Sequence, residues 1–119
     1  MNYYERIGRS LDYLEEHLRE GVRPEDAAAA AHLSVAQYYR MFHALTGHTV
    51  GDYLRKRRLS EAARELATSD RSVLDVALDY GFESQEGFTR AFAALAGDPP
   101  GRYRRAGTHR ELFARLDLP

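Results

Sequence analysis

Gln85, Glu86, Thr89 and Arg90 stand at i, i+1, i+4 and i+5, a spacing that gathers side chains on one side of a helix. Their amide, carboxylate, hydroxyl and guanidinium groups can donate or accept hydrogen bonds in several combinations. Ala36, Gln37, Tyr39 and Arg40 form a similar group earlier in the chain. Arg is the member common to both, and its planar fork suits bidentate acceptors such as a phosphate or a guanine edge. Neither group contains a nucleophile with a base or paired acids in a cleft pattern, and the chain has no phosphate-cradling glycine loop. The chemistry is therefore recognition, and neither catalytic residues nor an enzyme is expected. The chain has no cysteine, which removes disulfides, thiolate metal sites and thiol nucleophiles together. His17, His32, His43, His48 and His109 are scattered without metal-ligand spacing, so no metal and no cofactor are expected.

Each group needs an element to hold it. Phe88, Phe92 and Leu95 fall at helical spacing opposite the second group, with Ser84 as N-cap and Gly97, Pro99 and Pro100 as the stop. Before it, Ser72 with Asp75 opens a short helix carrying Val73, Val76, Ala77 and Tyr80, and Gly81 supplies a turn. A shift of 50 lays Ser34, Arg40, Phe42, Gly47 and Tyr53 on Ser84, Arg90, Phe92, Gly97 and Tyr103. One extra residue at Glu83 restores the match upstream. The first copy reads the same way: Pro24 opens a short helix through Ala31, "HLS" is the turn, and Ser34 with Gln37 forms a capping box. Tyr38, Met41, Phe42 and Leu45 are its buried stripe.

Two helix-turn-helix units are thus expected, over about 24–47 and 72–97. A long linker helix over about 50–68 joins them, capped by Thr49. Ile7, Leu11, Leu14 and Leu18 make an amphipathic first helix, and "PPGRYRR" a short closing one. No alternating run reads as a strand, so the fold is all-α, with a domain over 1–105 and a tail or linker start over 106–119.

The 119 residues, 44% hydrophobic and 29% charged, suit one soluble globular domain with a modest core. No run approaches the roughly 20 apolar residues of a membrane span. The N-terminus lacks the apolar core of a signal peptide, so a cytoplasmic chain is expected. Net charge is −1, yet residues 34–69 carry six basic groups against three acids, including "RKRR" at 55–58. A short helix after a tight turn, presenting Gln, Thr and Arg near its N-terminus, matches what reading a DNA major groove requires. A rigid linker helix would set two such readers on successive major-groove segments, about 34 Å apart. The competing reading is a helical protein-interaction module without specific DNA binding. It draws on the net charge, and the presence of both Arg40 and Arg90 counts against it.

The stretches "AAAAAHLSVAQYYRMFHALTGHTVGDYLRKRRLSEAARELATSD" and "SVLDVALDYGFESQEGFTRAFAALAGDPPGRYRR" resemble the AraC/XylS-type DNA-binding domain of bacterial transcription regulators, over about residues 5–105. The resemblance implies a seven-helix fold that binds promoter DNA. It also implies transcription activation, often by touching RNA polymerase, and a cytoplasmic, nucleoid-associated protein. It places base reading on Ala36, Gln37, Tyr39 and Arg40 and on Gln85, Glu86, Thr89 and Arg90. Phosphate contacts fall to Ser34, Ser84, Arg55, Lys56 and Arg57. Arg58 is open to either a phosphate contact or a structural ion pair, with Glu61 or an acid of the first helix. Members that respond to a ligand carry an effector-binding domain, which here would follow residue 119. The chain is expected to continue past "THRELFARLDLP" as part of a longer regulator.

Overall fold

The Asn2 side-chain oxygen accepts the Glu5 N–H at 2.8 Å and starts the first of seven helices. The computed structural model describes residues 1–119 as α1 (Tyr3–Glu16), α2 (Pro24–Ala30), α3 (Val35–Thr46), α4 (Val50–Thr68), α5 (Val73–Asp79), α6 (Gln85–Ala96) and α7 (Pro100–Ala106), with no strand. None of these helices is long and apolar enough to cross a membrane. The chain divides into two compact units, Met1–Arg55 with Arg115–Pro119, and Lys56–Ala114.

In the first unit Ile7, Leu11 and Leu14 of α1 are buried with Ala27 and Ala28 of α2 and with Tyr38 and Phe42 of α3. The alanines let α2 approach closely. Phe42 meets Tyr53 edge-to-face at 5.5 Å, a geometry that adds to the area both rings bury. The second unit repeats this with Phe92 against Tyr103 at 5.3 Å, and extends the aromatic row through Phe88 to Phe82. Leu59, Ala62, Ala63 and Leu66 of α4 complete its core with Val76, Ala77 and Tyr80. Each fully buried large side chain contributes about 1.5–3 kcal/mol.

Tyr38 is fully buried and its hydroxyl finds no hydrogen-bond partner, while Ser10 donates to the Ile7 carbonyl at 2.7 Å. Desolvation pushes the Tyr38 pKa up to about 12. The folded-state pKa lies above the unfolded value of 10, so this contribution to stability is complete below pH 10. It is lost as pH rises toward 12. Tyr38→Phe is expected to change stability by less than about 1 kcal/mol at pH 7, because no hydrogen bond is broken. It should also flatten the alkaline loss of stability. Urea unfolding at pH 7 and pH 11 checks both.

The two tight turns solve one problem differently. After α2, His32 adopts φ +57, and the Leu33 N–H reaches back to the Ala28 carbonyl at 3.0 Å. The Arg6 guanidinium holds the turn by donating to the His32 carbonyl at 2.6 Å. After α5, Gly81 adopts φ +85, and the Phe82 N–H reaches the Ala77 carbonyl at 3.0 Å. A methyl at Gly81 would meet only the Arg58 guanidinium, at an ordinary 3.8 Å, so backbone strain alone opposes a side chain there. Gly81→Ala is expected to cost about 1–2 kcal/mol. His32→Gly should not destabilise, since it relieves the same strain. Urea midpoints of the two variants test the pair.

The tail is fastened in both units. In the second, the Ser60 hydroxyl oxygen accepts the Phe113 N–H (3.1 Å) and the Tyr103 hydroxyl oxygen accepts the Arg110 N–H (3.3 Å). In the first, the Tyr53 hydroxyl oxygen accepts the Leu116 N–H (3.1 Å), and Arg115 pairs with Asp12.

Candidate nucleic-acid interface

Both candidate readers are held by their caps and buried stripes. For α3, the Ser34 hydroxyl oxygen accepts the Gln37 N–H (3.2 Å) and the Ser34 N–H donates to Gln37 Oε1 (3.2 Å), closing a capping box. Gly47 ends the helix. Burial of Tyr38 and Phe42 turns Ala36, Gln37, Tyr39, Arg40 and His43 outward, and Tyr39 is 44% exposed. For α6, the Ser84 hydroxyl oxygen accepts the Gly87 N–H at 3.0 Å and Gly97 ends the helix. Burial of Phe88 and Phe92 leaves Gln85, Glu86 and Arg90 exposed and Thr89 half-buried. Those four side chains line one open depression.

Many arginines elsewhere on the surface are paired. Arg55 is held by Asp52, Arg71 by Glu65 and Asp79, Arg102 by Asp98, and Arg110 by the Ala96 carbonyl. Arg40 and Arg90 are exposed and make no ion pair or hydrogen bond. An unpaired guanidinium on a fixed helix keeps its donor fork available for an external acceptor.

The capping box restricts Gln37. Its Oε1 accepts from both the Ser34 N–H and the Ser34 hydroxyl (3.1 Å), which leaves only the amide N–H groups to offer outward. Bidentate pairing with adenine needs both an acceptor and a donor, so Gln37 cannot make it while the box is closed. The same box occupies the Ser34 hydroxyl hydrogen. Ser84 is freer: Gly87 stands where α3 has Gln37, and no side chain reaches back to it.

Among the phosphate candidates, Arg55 is exposed and shares a bond with Asp52 at 2.7 Å, and Lys56 is half-exposed with its ammonium 5.6 Å from the Phe113 ring. Arg57 is a correction. It is only 3% exposed, donates to the Phe113 carbonyl, and pairs with Glu61 at 3.3 Å, so its guanidinium does not face solvent. Glu61 pairs with Arg57, and at 3.8 Å with Arg64. Residue 57 lies four after buried Tyr53 and three before buried Ser60, so the helical period already placed it inward. The charge of "RKRR" had hidden that signal. Ser60 and Tyr53, which anchor the tail, were also not anticipated, because a hydrogen bond to a residue more than fifty positions away leaves no local pattern.

Comparison with known proteins places this geometry. The family model described as a helix-turn-helix domain matches residues 27–106. The chain is 40% identical over 103 residues to the uncharacterized HTH-type transcriptional regulator YbfP of Bacillus subtilis, covering 86% of this chain and 35% of YbfP. It thus spans about a third of that relative's length. It is 37% identical over 108 residues to the multiple antibiotic resistance protein MarA of Salmonella typhimurium, covering 91% of this chain and 85% of MarA. Among solved structures, the DNA-binding domain of AdpA, a global transcriptional factor determined in complex with a target DNA, superposes with a TM-score of 0.77. That match has 35% identity and covers 85% of this chain and 91% of AdpA's. With a matching family model and duplicated capped readers, the chain belongs to the AraC-type helix-turn-helix family of bacterial transcription regulators.

Proposed function

We propose that the chain binds double-stranded DNA in a sequence-specific manner and regulates transcription, with α3 and α6 as two major-groove readers. The observation that carries this reading is the pair Arg40 and Arg90. They stand at equivalent places in two copies of one unit, exposed and unpaired, on helices whose opposite faces are locked into a core. Each guanidinium takes a guanine through O6 and N7. Gln85 offers the donor and acceptor that adenine needs, and Thr89 and Tyr39 add hydroxyl contacts. Ala36 contributes only a methyl contact, suited to thymine. Phosphates are met by the first-turn amides of α3 and α6 beside Ser34 and Ser84, with Arg55 and Lys56. AdpA's complex with DNA and the regulator relatives support this assignment. Activation through RNA polymerase, on the nucleoid, extends the same proposal.

Selection from a random duplex pool at physiological salt tests it. Two enriched blocks, one for each reader, are expected. Recovery of an unchanged pool, with weak binding that disappears as salt rises, would contradict it.

A further inference from the structure

We propose that Glu86 is the residue that makes the second reader select cytosine, so that α6 reads a half-site holding a cytosine for Glu86 and a guanine for Arg90. This rests on the reading of α6 as a base reader, and goes beyond it by assigning a base.

Glu86 and Arg90 are four residues apart in the order that favours an intrahelical ion pair, acid first. Both are exposed, and no ion pair joins them or ties either to any other group. The carboxylate and the guanidinium are therefore offered outward independently, within the one depression they line with Gln85 and Thr89. An acid facing DNA must offset phosphate repulsion. Its place in the first turn of a 12-residue helix helps, because the positive end of the helix dipole stabilises a carboxylate there.

An ionised carboxylate only accepts hydrogen bonds. In the major groove, guanine presents N7 and O6, both acceptors, and thymine presents O4 and a methyl group. Neither can donate to Glu86. Adenine donates from N6, but its N7 acceptor lies beside that group and repels the second carboxylate oxygen. Cytosine donates from N4 with no acceptor next to it on that edge, so cytosine is the matching base. The first reader has Ala36 at the equivalent place and lacks this preference, which makes the two halves of the site unequal.

Parallel selections from one random pool with the unmodified chain, Glu86→Gln and Arg90→Ala test the assignment, with circular dichroism confirming that the variants are folded. The second block is expected to contain a cytosine that Glu86→Gln exchanges for adenine, because an amide both donates and accepts. Arg90→Ala should leave that cytosine and lose a guanine. On a fixed duplex, changing the cytosine to adenine should weaken the unmodified chain roughly tenfold and strengthen Glu86→Gln. Identical motifs from the unmodified chain and Glu86→Gln, with the variant binding every duplex more tightly, would overturn the assignment and leave base reading by α6 standing. No motif from any of the three proteins would overturn the DNA-reading role itself, and this assignment with it.

Discussion

Arg57→Ala is expected to destabilise the fold by about 3 kcal/mol, the low end of the cost of breaking a buried ion pair. The residue is 3% exposed, and removing its side chain takes the donor from the Phe113 carbonyl and the closer cation from Glu61. Arg64 also lies near Glu61, at 3.8 Å, and is largely exposed, so its screened charge makes up little of the loss. The low end applies because the Glu61 side chain is itself 23% exposed and regains some hydration. A loss of this size is a large part of the 5–15 kcal/mol typical of a small domain. Arg57→Lys should fall in between, since an ammonium lacks the fork that serves a carbonyl and a carboxylate together. Urea unfolding followed by circular dichroism measures the series. A variant as stable as the parent, but with a shallower salt dependence of DNA binding, would return Arg57 to the phosphate contacts.

Arg40→Ala and Arg90→Ala are each expected to cost about 1–3 kcal/mol of specific binding and to relax preference at one base position. Neither should change the urea midpoint by more than about 0.5 kcal/mol, because exposed residues without partners hold nothing in the fold. The two effects should fall in different blocks of the site. Arg55→Ala provides the contrast. As a phosphate contact it should weaken all duplexes about equally and reduce the salt slope by about 1. Equal losses on specific and scrambled duplexes for Arg40→Ala would make that residue another phosphate contact rather than a base reader.

Much of this architecture was legible because it is local. Ser34, Ser84, Gly47 and Gly97 bracket α3 and α6 through contacts within four residues, and the stripes Tyr38–Phe42 and Phe88–Phe92 follow the helical period. The repeat supplied what a single short motif cannot, a second instance of each feature. What escaped notice depended on distant partners or on competition within a side chain. Arg57 stands in a run of charge that reads as solvated, while its partner at Phe113 lies far along the chain. By sequence Gln37 suits a cap and a base equally, and in the fold its oxygen serves the cap. Tyr53 matches Tyr103 in the repeat, and its hydroxyl holds the tail through Leu116, more than sixty positions away.

The most direct test of the account is the ratio of affinities for the selected duplex and a scrambled duplex of equal length, measured at physiological salt. The expected ratio is at least about 10³, the lower range for specific readers. The Arg40→Ala, Arg90→Ala double variant should bring it close to the nonspecific level while the fold remains intact. A ratio near one in the unmodified chain, with affinity set by salt alone, would contradict base reading by α3 and α6.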